Sequence, residues 1–110
     1  MNTEGLELKF TKLDKRHRGY DEFSHYVTVT EPNRFGMRQY SFAGFFLLRM
    51  LCSKTYGLSC ERELYLKIKH EKRTDIELNN HWAWHTDLNN SQYRIYLKSD
   101  EERAWLLLQW

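Results

Sequence analysis

The stretch ELYLKIKH, residues 63–70, decides the fold, because its conformation sets what its neighbours can pair with. Leu64, Leu66 and Ile68 alternate with Tyr65, Lys67 and Lys69, and strict alternation marks a half-buried strand. Read as a strand, it joins two further alternating stretches downstream. In HWAWHT, residues 81–86, Trp82 and Trp84 fall on one side and His81, Ala83 and His85 on the other. In QYRIYLK, residues 92–98, Tyr93, Ile95 and Leu97 point inward and Arg94, Tyr96 and Lys98 outward. The DLNNS between them, residues 87–91, is turn chemistry for a hairpin. Residues 71–80 are polar and end in Asn79-Asn80, a linker or long turn.

Working upstream, Leu6, Leu8 and Phe10 share one face of LELKFTKL (residues 6–13), a half-buried strand. A second strand, FSHYVTVT at 23–30, is rich in β-branched residues. The two can pair as a hairpin around the polar loop 14–22. Pro32 ends the second strand, and Asn33 can cap a turn. The pattern then changes. In SFAGFFLLRMLC, residues 41–52, nine of twelve residues are apolar with no period of two. That predicts a helix from Ser41 to about Lys54, apolar nearly all round and therefore central. Gly57 is its C-terminal stop. At the far end, Ser99 stands three residues before Glu102, the spacing of a capping box, and AWLLLQW follows. The acids Asp100, Glu101 and Glu102 suit a helix N-terminus. Two helices and an antiparallel sheet of four to five strands predict a two-layer α+β sandwich, with both helices on one face. A ferredoxin-like variant is the near relative, although the strand count departs from βαββαβ.

The chain has 110 residues, which predicts a single domain, residues 1–110, since domains usually take about 100–200 residues. Hydrophobic residues make up 41% and charged residues 29%, enough to build a core and unlike a disordered chain. Aromatics reach 15%, so the core is aromatic-rich or some rings face a partner. A net charge of +2 fits neither an acidic mimic of nucleic acid nor a histone-like binder. The opening MNTEGLELKF lacks the basic start and apolar run of a signal peptide. The longest uncharged run, Gln39 to Leu48, is half of the roughly 20 residues that span a membrane. Cys52 and Cys60 form no CxxC pair. The expectation is reduced thiols, a cytoplasmic protein and no membrane partner.

One candidate binding face emerges from strand parity. It gathers Tyr65, Lys67, Lys69, Arg94, Tyr96 and Lys98, with His81 and His85, and contains no carboxylate. Rings that stack on bases and cations that meet phosphates are how RNA-binding sheets work, although a solvated sheet face is also normally polar. The loop residues Lys12, Lys15, Arg16, His17 and Arg18 would form a basic rim. Cys52, Cys60, His81 and His85 fit zinc poorly, because seven residues separate the cysteines. Cys60 with His70 or His85 and Glu61 or Glu63 can be written as a catalytic set, but no GxSxG, HExxH or P-loop motif is present. A protein interface is the remaining candidate. The indoles Trp82, Trp84, Trp105 and Trp110 would crowd one small core, and a patch with Trp110, Tyr93 or Tyr96 would suit docking.

The ending RIYLKSDEERAWLLLQW resembles the strand, capped helix and terminal aromatics of small accessory proteins encoded by tailed phages. The residues concerned are Tyr96 to Trp110, and CSKTYGLSCE (52–61) and HWAWHTD (81–87) have a similar character. The resemblance implies a short, non-catalytic modulator of host machinery, such as an inhibitor of a defence or transcription complex. It carries over no functional residues. The reading from sequence is therefore a binding protein, not an enzyme, with no cofactor. Its partner is a host protein or complex, or, as the alternative, RNA or DNA held on the Tyr/Lys/Arg face. Self-association through an edge strand is a variant.

Overall fold

The structure is a computed structural model that describes residues 3–110. Among the described residues it has five strands and three α-helices. In chain order these are β1 Glu7–Lys12, β2 His25–Pro32, β3 Arg38–Tyr40, α1 Phe42–Tyr56, α2 Arg62–His70, β4 Trp82–Asp87, β5 Gln92–Leu97 and α3 Asp100–Gln109. The strands form one antiparallel sheet in the order β1-β2-β5-β4. β2 pairs β5 through its first half, His25 to Val27, and β3 through its second, Thr30 to Pro32. The α+β class and the five-stranded antiparallel sheet agree with the sequence reading.

The fifth strand is not the one expected. Residues 63–70 are helix α2, and the three-residue β3 makes up the number. The burial shows why. Arg62, Tyr65 and Ile68 are buried and Leu64 is exposed, which is a helical repeat of three and not a strand repeat of two. Local chemistry favours the helix as well. Glu61 caps it by accepting the Glu63 N–H, Glu63 lies in the first turn, and Lys67, Lys69 and His70 lie in the last.

Alternation sorts the sheet into two faces. Val27 and Val29 of β2, Ile95 and Leu97 of β5 and Trp82 of β4 meet Phe45, Leu48 and Cys52 of α1 and Leu106 of α3. These two helices share one side, and Trp105 stands edge-on to Tyr56 at 5.4 Å where they meet. The opposite side is half covered by α2. There Phe23 packs between Tyr65 and Tyr96, at ring separations of 5.0 and 5.7 Å. The second face is thus roofed at one end, a layer that the sequence reading lacks.

Turn chemistry is as expected. Pro32 closes β2, and the Asn33 side chain accepts the N–H groups of Phe35 and Met37. Ser41 caps α1 by accepting the Gly44 N–H at 2.9 Å, and Gly57 ends α1 with a φ of 92°. α3 begins at Asp100, but not through a reciprocal capping box. The Ser99 hydroxyl donates to the Glu102 carboxylate instead of accepting a backbone N–H.

Gly44 sets how close α1 comes to the sheet. A Cβ built there would stand 2.3 Å from Val29 Cγ1, far inside contact distance. Gly44→Ala gains about 1 kcal/mol of helix propensity but adds an overpacking cost of about 1–3 kcal/mol. We expect net destabilisation in urea unfolding. Val29→Ala in the same chain should return part of that loss, giving a non-additive pair. A Gly44→Ala variant more stable than the parent would contradict this packing.

Candidate functional site

The single face expected from Tyr65, Lys67, Lys69, Arg94, Tyr96 and Lys98 does not form. Tyr65 is 2% exposed and Tyr96 1% exposed, because helix α2 brings one onto the other around Phe23. Lys67 and Lys69 ride on α2 and are exposed, and Lys98 follows β5. The parity of β5 is as read, but the side opposite Ile95 is not open to solvent at Tyr96.

Part of the set is nevertheless brought together through residues that the sequence did not single out as cationic anchors. Buried Arg62 donates to the Tyr96 hydroxyl, and Arg94 approaches the same oxygen at 3.4 Å. Arg62 also pairs with Glu63 at 2.7 Å, and Glu63 pairs with Arg18 of the basic loop at 2.7 Å. Burial pushes the Glu63 carboxyl up, but Arg62 and Arg18 outweigh it and hold it below the usual range. Arg16 is held by Asp14 in its own loop, and Lys15 is exposed. The Arg94 guanidinium lies 4.1 Å above the Tyr26 ring.

The half of this face beyond α2 stays open. The pairings Lys9↔Thr28, Tyr26↔Tyr96, Thr30↔Tyr40 and His85↔Arg94 put Lys9, Tyr26, Tyr40, Arg94 and His85 on the same side. A groove of about 560 Å³ between β1 and β3 is lined by Glu7, Lys9, Thr30, Arg38 and Tyr40, with Arg38 3.7 Å from the Glu7 carboxylate.

Among the described residues, His17 faces Asp14 at 3.1 Å, and His25 faces Asp100 at 3.7 Å with the Ser24 hydroxyl 2.7 Å from its other ring nitrogen; two His–Glu pairs are closer. Glu61 Oε1 lies 2.6 Å from His85 Nδ1, and Glu102 Oε1 lies 3.0 Å from His81 Nδ1. Neither pair has an activated nucleophile. Burial pushes the Cys60 thiol up, and it drives Cys52, inside α1, to about 12. The cysteines also sit in different cores, Cys52 under α1 and Cys60 beside α2, which separates the Cys/His set considered for zinc. No group of three or more His, Cys, Asp or Glu is placed to hold a metal ion among the described residues. Each pair instead ties elements together: Glu61 joins α2 to β4, and Glu102 joins α3 to the start of β4.

The largest departure from expectation lies on α1. It is not apolar because it is enclosed. Only Gly44, Phe45, Leu48 and Cys52 are buried, while Phe42 is 48%, Phe46 45% and Met50 64% exposed. These three and Lys54 recur every four residues, so they form one ridge about 18 Å long. Its rings are organised. Phe42 stands edge-on to Phe46 at 4.9 Å and to Tyr93 of β5 at 5.1 Å. Arg49 flanks the ridge, 4.2 Å from the Trp84 ring and 5.8 Å from both Phe45 and Phe46. Burial among these rings pulls its guanidinium below the usual range. Neither Arg49 nor Lys54 has a carboxylate within ion-pair distance among the described residues, and α1 contains no Asp or Glu. The hairpin tip adds Phe35 and Met37, 73% and 66% exposed.

Compared with protein-family models, curated proteins and solved structures, the chain has no match.

The four-residue spacing of Phe42, Phe46 and Met50 was readable in the sequence, but a helix apolar on all sides does not say which side is left uncovered. Of the indoles, Trp82 is core, and Trp84, Trp105 and Trp110 are partly buried against it. Among the described residues no helix is long and apolar enough to cross a membrane.

The Glu102 carboxylate gives a pH prediction. Burial pushes it up, but the Ser99 hydroxyl and His81 outweigh that and hold it below the usual range. A depressed carboxyl contributes stability above its unfolded value, about 4.3, and loses it as pH falls through the lower folded value. Glu102→Gln should therefore lower the melting temperature at pH 7. It should also flatten the fall in stability below about pH 4.3. An unchanged acid limb would show that the Glu102 contacts do not stabilise the fold.

Proposed function

We propose that the protein is a small, non-catalytic binding protein that acts by occupying the surface of another protein. The observation that carries this reading is the exposed ridge Phe42–Phe46–Met50. A monomeric soluble protein rarely leaves contiguous aromatic and thioether surface uncovered unless it is used. Phe, Tyr and Met are enriched at interfaces, and Met adapts to irregular partners. The rings are pre-positioned by contacts with Tyr93 and with each other, so little side-chain freedom is lost on docking. The likeness of residues 96–110 to phage accessory proteins makes a host complex, such as defence or transcription machinery, the partner to look for. Such a protein would work in the host cytoplasm. The His–Glu pairs lack an activated nucleophile and support a binding role over an enzymatic one.

A second reading is nucleic-acid binding on the open half of the sheet. It is favoured by the Arg94–Tyr26 stack beside Lys9, Arg38 and Tyr40. This replaces the earlier contact set, from which only Arg94 remains half-exposed on an open sheet face. Phosphate contacts make affinity fall by roughly 0.7–0.9 log units per log unit of salt for each contact. A single-stranded probe should then bind at low salt and be lost in Lys9→Glu/Arg94→Glu. No shift of single- or double-stranded probes at low salt removes this reading.

For the first reading, affinity capture from a bacterial lysate with and without nuclease is the test. A protein partner should be retained after nuclease and lost with Phe42→Ser/Phe46→Ser, with the fold retained by circular dichroism at the capture temperature. Capture that vanishes with nuclease, or that survives the double substitution, overturns it.

A further inference from the structure

We infer that the partner surface fitted by α1 is an acidic amphipathic helix, laid along the Phe42–Phe46–Met50–Lys54 ridge. This rests on the protein-docking reading and adds the chemistry of what docks. The ridge offers apolar side chains every four residues over about 18 Å, which matches a helix presenting anchors at i, i+3, i+4 and i+7.

Charge selects the occupant. In fifteen residues α1 carries two cations, Arg49 and Lys54, and no carboxylate. Arg49 is fixed beside the ridge by three rings rather than by an acid. Its guanidinium makes no hydrogen bond or ion pair among the described residues, and a carboxylate is the group that such a fork pairs with best. Lys54 extends the ridge at the C-terminal end of α1. A helix with a leucine or phenylalanine stripe bordered by Glu or Asp satisfies both requirements together. A second copy of this chain does not. Two ridges packed about a two-fold axis would bring the two Arg49 side chains together, and in a parallel arrangement the two Lys54 as well, with no acid on either helix. An anionic bilayer fits less well, because the ridge is one side chain wide and only two cations accompany it.

The test uses two synthetic helical peptides of about 18 residues with the same Leu/Phe stripe, one flanked by Glu and one by Lys. Isothermal titration calorimetry with the whole chain should show the Glu peptide binding at least roughly tenfold more tightly than the Lys peptide. Lys54→Glu, at an exposed position, should narrow or invert that preference, and Phe46→Ser/Met50→Ser should abolish binding of both. Arg49→Gln should weaken the Glu peptide alone. Equal affinity for the two peptides, or no binding of the Glu peptide, overturns the inference. So does a concentration-dependent dimer in sedimentation that Phe46→Ser/Met50→Ser dissolves, or binding to phosphatidylserine vesicles that the same substitution removes while the Glu peptide fails. If the Glu peptide fails but lysate capture remains nuclease-resistant and dependent on Phe42 and Phe46, the docking reading stands and only the partner's chemistry is wrong. If lysate capture itself fails, the docking reading falls.

Discussion

β2 has more to hold than any other strand. One edge is taken by β1 from His25 to Thr30; the other is divided between β5 and β3. That division fixes where α1 starts, because β3 leads directly into Ser41, whose backbone N–H donates to Val29 of β2 and whose hydroxyl caps the helix. With Gly44 then pressed on Val29, α1 has no freedom to roll. Phe45, Leu48 and Cys52 must face the sheet, and Phe42, Phe46 and Met50 must face away. The exposed ridge is therefore a consequence of sheet pairing as much as of helix composition. A roll of the helix that buried those rings would drive its backbone off β2.

What was legible in the sequence follows from how far each pattern repeats against a known face. β1, β2, β4 and β5 alternate cleanly, and their inward sets are the ones the core uses. Pro32, Asn33, Gly57 and Ser99 mark real boundaries, although Ser99 works through Glu102 and not through a backbone N–H. Residues 63–70 failed because eight residues hold barely two helical turns, and a period of two fits Leu64, Leu66 and Ile68 as well. The discriminating signal was charge order: acids at 61 and 63 on either side of Arg62, then bases alone at 67, 69 and 70, an excess at each end of the sign that a helix dipole favours. β3 offered only Arg-Gln-Tyr, too short for any period. The binding face inherited the error at 63–70. Once Tyr65 belongs to a helix it becomes the lid on Tyr96, and the expected cationic surface divides.

The polar groups around α2 show how a buried cation is tolerated. Arg62 is enclosed but reaches both a carboxylate and a phenol oxygen, and Glu63 passes the contact on to Arg18 in the long loop after β1. A sequence reading counts Arg18 as a free cation in a basic loop. In the fold it is part of the chain that fastens that loop to α2, which leaves Lys15 as the freer charge there.

One further feature lies at the β4 margin. The chain entering α2 runs alongside this strand: the Ser59 hydroxyl donates to Trp82, the Trp84 N–H donates to Cys60, and Glu61 bridges Trp84 in parallel. This segment acts as a sealing strip over backbone groups that would otherwise template another strand. Edge-to-edge addition of a strand from another molecule at that border would require peeling the strip away first. The opposite border, at β1, carries no such cover among the described residues but places Glu7, Lys9 and Lys12 along it, so electrostatic discouragement there substitutes for physical blockage.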